Sequence, residues 1–131
     1  MSCQSINNGI DRFETLIPQL IGKRIGIVAN QTSVDKHDQH LISLVESNNL
    51  NLRAVFSPEH GLKGDLADGQ KYESADSIFY SLYGKTKRPT KEMMRQIDIV
   101  IYDMQDVGTR FYTYINTMGY MMKACAETNK K

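Results

Sequence analysis

The sequence has 131 residues, the length of one domain, and 40% of them are hydrophobic, which is enough for a buried core. Sixteen lysine and arginine residues against fifteen aspartate and glutamate residues leave a net charge of +1, without the basic excess typical of proteins that bind nucleic acid. The apolar runs are far shorter than the roughly 20 residues of a membrane-spanning helix, so no transmembrane segment is expected.

Four segments have the composition of β-strands, since they are short, apolar and rich in β-branched or aromatic residues. Pro58 ends the second of them, because a proline cannot extend a central ladder. The fourth, IDIVIYD, has the clearest pattern. The predicted strands are 24–30, 51–57, 77–84 and 97–103.

Segments with helical character alternate with these strands. The first predicted helix covers 12–16 and is ended by Pro18 and Gly22. The second follows Asp38, whose carboxylate is placed to cap it. Its apolar residues recur at helical spacing: Leu41, Ile42, Leu44 and Val45.

Two more helices are predicted in the second half of the sequence. A brief one, KEMMRQ, follows Pro89-Thr90, and a long one runs from Phe111 to about Glu127. The residues of the long helix that should face the core are Tyr114, Met118, Met121, Met122 and Cys125. Strands that alternate with helices imply βαβ crossovers, so the sequence predicts an α/β fold with a mostly parallel sheet.

Polar residues follow three of the predicted strands. Ligands of open α/β sheets bind beyond the carboxyl ends of the strands, so these residues should converge on one crevice. The residues are Asn30 and Gln31 after the first strand, Glu59 and His60 after the second, and Asp103, Asp106 and Arg110 after the fourth.

Glu59 is the strongest candidate for acid–base chemistry. Pro58 fixes the exit from the strand, and Gly61 and Gly64 let the backbone turn. Glu59 is thereby held at the rim of an apolar sheet, where partial desolvation would raise its pKa towards the range of a proton donor. The alternative is that Glu59 and His60 are solvated turn residues.

Asp103 and Asp106 are candidates for a second carboxylate, because glycoside cleavage uses two such groups across the bond. The alternative for Asp103 is a helix-capping or loop-bracing role. Arg110 is suited to clamp an anionic substrate group, or else to form a salt bridge with Asp106. Tyr112 and Tyr114 could stack on a sugar face or pack in the core.

Other patterns exclude several classes of site. The first strand is followed by ANQTSVD, which is neither a dinucleotide fingerprint nor a P-loop. No spacing of His and Cys residues indicates zinc. His37 and His40 lie in a polar stretch and are expected on the solvated surface.

Four blocks together resemble the bacterial exo-β-N-acetylmuramidase family (NamZ-like): VANQTS, FSPEHGLKGD, YSLYGKTKRPT and YDMQDVGTRFYTYINTMG. The resemblance covers roughly residues 9–127. It implies a Rossmann-like, three-layer αβα N-terminal domain over residues 1–131, with residues 1–8 flexible. The family's C-terminal domain is absent from this chain.

The resemblance also implies an activity. Members of the family are glycoside hydrolases that release N-acetylmuramic acid from the non-reducing end of peptidoglycan fragments, without a cofactor. By this analogy Glu59 is the catalytic acid, and His60 orients it or the substrate. Asp103, Asp106 and Arg110 line the pocket, with Arg110 facing the lactyl carboxylate.

The resemblance implies muramyl sugars as substrate and the family's C-terminal domain as partner, in an exported or periplasmic setting. The triplet Ser2-Cys3-Gln4 is similar to the residues around a bacterial lipoprotein cysteine, which adds a lipid anchor to the expectations. Two other readings stay open. One is a non-catalytic module that binds muramyl sugars; the other is a metal-assisted hydrolase that uses Glu59, His60, Asp103 and Asp106.

Overall fold

A computed structural model describes residues 6–58 and 78–131. Within these residues four strands form one sheet in the order β3-β2-β1-β4, and each neighbouring pair is parallel. The strands are β1 Arg24–Ala29, β2 Asn51–Ser57, β3 Phe79–Ser81 and β4 Ile99–Asp103. The predicted α/β class with a mostly parallel sheet is therefore confirmed. β3 is shorter than predicted, and β4 begins two residues later than predicted.

Helices precede β1 and separate β1 from β2 and β3 from β4, as expected, whereas most of the connection between β2 and β3 lies outside the described residues. A 3₁₀ segment, Ile10–Leu16, continues directly into the first α-helix. The α-helices are α1 Ile17–Leu20, α2 Leu41–Ser47, α3 Lys91–Arg95 and α4 Tyr114–Thr128. Thr90 caps α3 through its hydroxyl, which accepts from the Met93 N–H at 3.3 Å.

Two predictions about helix ends are wrong. Pro18 lies in the first turn of α1 instead of ending the first helix, because a first-turn residue needs no N–H for the helical ladder. Asp38 does not cap α2. The cap is His40, whose Nδ1 accepts from the Ile42 N–H at 3.2 Å, since the helix begins only at Leu41 and Asp38 lies too far before it.

The long helix α4 begins three residues later than predicted, so Phe111 lies in the preceding loop and is 94% exposed. The predicted core positions Met118 and Met122 are 38% and 64% exposed, which corrects their assignment. At about 100° per residue, a different set of residues falls on the side that faces the sheet. The buried set is Tyr114, Thr117, Met121 and Ala124.

Helices cover both faces of the sheet. Ile25 and Ile27 of β1 point to one face, and Val28 points to the other. The first face packs against residues of the 3₁₀ segment, α1 and α2: Ile10, Phe13, Leu20, Leu41 and Val45. The second packs against residues in or beside α3 and α4: Met94, Ile97, Met121 and Ala124. The described chain thus has the predicted three-layer αβα architecture.

The order of the strands creates a topological switch point. The chain passes from β1 outward to β2 and β3, and then returns to place β4 on the other side of β1. This is the order of the first strands in Rossmann-type sheets, where ligands bind at the carboxyl ends of the two strands that flank the switch. Here those two strands are β1 and β4.

Among the described residues, none of the helices has the length and apolar character needed to cross a membrane.

Candidate functional site

The carboxyl ends of β1, β2 and β4 lie at one edge of the sheet, because all three strands are parallel. Ala29, the last residue of β1, is paired with Asp103, the last residue of β4. Ser57 ends β2 on the other side of β1, and Pro58 after it is fully buried. The predicted convergence of these three strand ends on one edge is thus observed. Glu59, His60 and the two glycines after them lie outside the described residues, as does the triplet at positions 2–4.

Asn30 lies at the centre of a hydrogen-bond network at this edge and is fully buried. Its Oδ1 accepts from the Thr32 N–H at 2.9 Å and from the Thr32 hydroxyl at 2.6 Å. Two donors on Oδ1 fix the orientation of the side-chain amide, so Nδ2 must point away from Thr32. Nδ2 is buried and has no hydrogen-bond partner within the described part of the chain.

The loop after β1 is joined directly to the end of β4. The Ser33 hydroxyl accepts from the Asn30 N–H at 3.1 Å and donates to the Asp103 backbone carbonyl. The Thr32 hydroxyl accepts from the Gln105 N–H at 3.0 Å. Two short polar side chains therefore bridge the switch point and fix the two loops relative to each other.

Asp103 is the carboxyl group at the switch point. It is half-buried, and this desolvation raises its pKa. Its Oδ2 is buried and lacks a hydrogen-bond partner in the residues that the structure describes. A carboxyl group that retains its proton to higher pH is suited to proton donation.

His40 is half-buried, so its predicted place on the solvated surface is wrong, whereas His37 is exposed as predicted. The Nε2 atom of His40 lies 2.9 Å from the Asn30 backbone oxygen. Sequence reasoning also missed the roles of Thr32 and Ser33. The available signals were the position of His40 directly before the helical pattern and the cluster of amide and hydroxyl side chains after β1.

The other charged candidates lie in the exposed loop after β4. Asp106 accepts from the Gly108 N–H at 2.7 Å through Oδ1, and Gly108 has a φ of 71°, so Asp106 braces a tight turn. Arg110 is exposed and forms no ion pair with Asp106. Gln31 is exposed in the loop after β1.

The two tyrosine candidates differ in burial. Tyr112 is 43% exposed, whereas Tyr114 is 7% exposed, and their rings meet edge to face at a centroid distance of 5.6 Å. The Tyr114 backbone oxygen accepts from the Tyr102 hydroxyl at 2.8 Å. Burial, with smaller effects of Asp106 and Tyr114, raises the pKa of Tyr102 to about 12. Tyr114 is thus packed as its core alternative predicted, and only Tyr112 presents ring surface to solvent.

The described residues contain no group of three His, Cys, Asp or Glu side chains placed to hold a metal ion. Two of the four residues in the predicted metal site, Glu59 and His60, lie outside that range. The metal-assisted alternative therefore stays a prediction.

A cavity of about 430 Å³ lies at the opposite, amino edge of the sheet. It includes Asp98, whose carboxylate is paired with Arg24. Its lining also includes Asn129 and Lys131, which follow the last residue of α4. Among the described residues, three buried side-chain polar atoms lack a hydrogen-bond partner, and two of them, Asn30 Nδ2 and Asp103 Oδ2, are at the carboxyl edge. The third, Arg88 Nε, belongs to a side chain that is paired with Glu127. We therefore place the candidate site at the carboxyl edge.

Comparison with known proteins agrees with this fold. The chain is 45% identical over 132 residues to the peptidoglycan β-N-acetylmuramidase NamZ of Bacillus subtilis (strain 168), covering 93% of this chain and 31% of that protein. Two crystal structures of DUF1343 family proteins from Bacteroides fragilis superpose with TM-scores of 0.82 and 0.79, at 44% and 37% identity. They cover 95% and 98% of this chain, which covers 33% of each of them.

The chain thus spans about a third of the length of these relatives. A family model described as the N-terminal part of the exo-β-N-acetylmuramidase NamZ matches residues 25–131, from the start of β1 to the last residue. This match covers most of the chain, including the strands and loops that form the candidate site. The chain belongs to the exo-β-N-acetylmuramidase NamZ family and corresponds to its N-terminal region.

Proposed function

We propose that this chain is the N-terminal part of a peptidoglycan glycosidase that releases N-acetylmuramic acid from the non-reducing end of peptidoglycan fragments. The family match and the name of the Bacillus subtilis relative support this activity. The location of the site is supported by one observation: the loops after β1 and β4 are hydrogen-bonded to each other at the switch point. Beside these bonds, Asn30 Nδ2 and Asp103 Oδ2 have no partner among the described residues.

The proposed chemistry is acid–base catalysis by two carboxyl groups. Asp103 is one of them, because its desolvated carboxyl group binds a proton more readily than an ordinary aspartate. Glu59 is the other, because it follows Ser57, the last residue of β2, by two positions in the sequence. β2 and β4 flank β1, so their backbones are roughly 10 Å apart, and a glycosidic bond can lie between carboxyl groups carried at the ends of these two strands.

The remaining candidates are assigned by their position and exposure. Asn30 offers a donor to the substrate, and Arg110 is free to meet the lactyl carboxylate of the sugar. Tyr112 presents a ring on which a sugar face can stack. Gln31, His60 and Asp106 complete the proposed pocket around these groups.

We further propose that residues 1–131 belong to one domain, whose partner is the C-terminal domain of the family. The chain covers only 31–33% of its relatives, so further residues of the active cleft are expected from that partner. A non-catalytic role in binding muramyl sugars is the second candidate, and the same short coverage supports it.

The experiment is the release of a chromogenic group from an N-acetylmuramide by the protein and three variants. Glu59→Gln and Asp103→Asn should each lower kcat/KM by about 10²–10⁴-fold, as expected for loss of an acid or base, with unchanged circular dichroism. Asp98→Asn, at the other end of β4, is the control and should retain activity when folded. Full activity in both Glu59→Gln and Asp103→Asn would refute the proposal. Binding of N-acetylmuramic acid without turnover by the unsubstituted protein would favour the binding module.

A further inference from the structure

We infer that His40 is a positioning residue of the proposed sugar site, because it holds the backbone of Asn30 and thereby fixes the place of the Asn30 side chain at the carboxyl ends of β1 and β4. This inference rests on the proposed function for its kinetic consequence. The placement of Asn30 by His40 is a property of the described structure and can be tested without turnover.

The hydrogen bonds of His40 determine its tautomer. Nδ1 accepts from the Ile42 N–H at 3.2 Å, so Nδ1 carries no proton. Nε2 lies 2.9 Å from the Asn30 backbone oxygen, which can only accept. The ring is therefore neutral, with its proton on Nε2, and it donates to Asn30 while it caps α2.

The bond from His40 has a distinct place among those that hold Asn30. The Asn30 backbone oxygen also accepts from the Ser33 N–H at 3.1 Å, and the donors to its side-chain oxygen among the described residues are the N–H and the hydroxyl of Thr32. These partners lie within the same tight turn, whereas His40 lies at the start of α2. The His40 bond thus ties the turn that carries Asn30 to the start of α2. The Asn30 Nδ2 atom has no hydrogen-bond partner in the described chain.

Helix capping alone does not explain a histidine at position 40. Asparagine, aspartate and serine are the preferred N-cap residues, and they need only one acceptor atom for that role. The second ring nitrogen of His40 reaches Asn30 across the turn, which the shorter side chains cannot do. The two functions can therefore be separated by substitution.

The test compares His40→Asn with His40→Ala. An asparagine retains an acceptor for the Ile42 N–H but loses the bond to Asn30, whereas an alanine loses both. We expect kcat/KM for the chromogenic N-acetylmuramide to fall roughly tenfold in both variants, the value of one lost positioning hydrogen bond. Only His40→Ala should also lower Tm. His37→Asn, at an exposed histidine three residues earlier, is the matched control and should equal the unsubstituted protein.

A purely structural role for His40 predicts a different pattern. In that case His40→Asn would retain both the Tm and the kcat/KM of the unsubstituted protein, and this outcome would overturn the inference. A loss of activity in His40→Asn at unchanged Tm supports it.

An arm that does not depend on turnover uses ¹⁵N NMR of the imidazole ring and of the Asn30 side-chain amide. The inference requires a protonated Nε2, an unprotonated Nδ1 and an Asn30 amide signal that moves in His40→Asn but not in His37→Asn. A protonated Nδ1, or an Asn30 signal unchanged in His40→Asn, would refute it. If neither the unsubstituted protein nor any variant releases the chromophore, the proposed function is wrong. The NMR result then still decides whether His40 positions Asn30.

Discussion

Two aspartates at opposite ends of one strand have opposite environments. Asp98, directly before β4, has both oxygens occupied: Arg24 donates from Nη2 at 2.6 Å to Oδ1, and from Nε and the backbone N–H at 3.0 Å to Oδ2. Asp103, at the end of β4, has a buried Oδ2 with no partner in the part of the chain described. The hydrogen bonds from Arg24 lower the pKa of Asp98, whereas burial raises that of Asp103.

The comparison shows that the two edges of one sheet differ in how completely their carboxyl groups are hydrogen-bonded within the described residues. At the amino edge both oxygens of the Asp98 carboxylate accept hydrogen bonds from Arg24, which favours the charged form of Asp98. At the carboxyl edge one oxygen of Asp103 and the side-chain nitrogen of Asn30 are buried without a partner among the described residues, at a cost in folding free energy that a bound ligand can offset. A strained or unsatisfied edge beside a satisfied one is the pattern expected of a binding site.

The first prediction concerns the bonds that join the carboxyl edge together, and it has the largest expected effect on stability. Ser33→Ala removes the hydroxyl between the Asn30 N–H and the Asp103 carbonyl, and Ser33 is fully buried. The buried Asn30 N–H and the partly buried Asp103 carbonyl both lose this partner, so we expect the free energy of unfolding to fall by about 1–3 kcal/mol in urea denaturation.

Ser81→Ala is the control for this prediction, because the Ser81 hydroxyl accepts from the Tyr83 N–H at 3.3 Å at an exposed position. A change in Ser33→Ala no larger than that in Ser81→Ala would show that the hydroxyl bridge contributes nothing to this edge.

The second prediction uses the two aspartates directly and has a smaller effect. The pKa of Asp98 is lowered in the folded protein, so its stabilisation is present above the ordinary value of 3.8 and is lost as pH falls through the lower folded pKa. The pKa of Asp103 is raised, so this group destabilises the fold as pH rises from 3.8 through the higher folded pKa, and the effect persists above it.

Asp98→Asn should therefore lower, and Asp103→Asn should raise, the urea midpoint at about pH 7, and both differences should shrink towards about pH 3. Midpoints measured at several pH values for the two variants test the signs. If Asp98→Asn and Asp103→Asn changed the urea midpoint in the same direction at neutral pH, the proposed contrast between the two edges would be wrong.

Much of the fold follows from local sequence patterns. The runs 24–30 and 51–57 are short and rich in apolar and β-branched residues, and they form β1 and β2 almost within the predicted bounds. The alternation of strands and helices was sufficient to predict a parallel sheet, and hence the common edge of the strand ends. These features depend on residues close together in the chain.

The features that sequence reasoning missed depend on distant contacts. The contrast between Asp98 and Asp103 arises because Arg24, 74 residues from Asp98, donates hydrogen bonds to the Asp98 carboxylate. No equivalent cation is described beside the Asp103 carboxylate. The role of His40 could not be predicted from the sequence, because it depends on a contact with Asn30, which is ten residues away and lies in a turn. The proposed role of Glu59 stays a prediction, because this residue lies outside the described chain.

The most direct test of the central claim, that the sugar binds at the carboxyl edge, is a ¹H–¹⁵N NMR titration of the protein with N-acetylmuramic acid. We expect the largest shift changes in the turn of residues 30–33 and in residues 103–106, with Arg24 and Asp98 unchanged. Changes concentrated at Arg24, Asp98 and the cavity beside them would contradict the account.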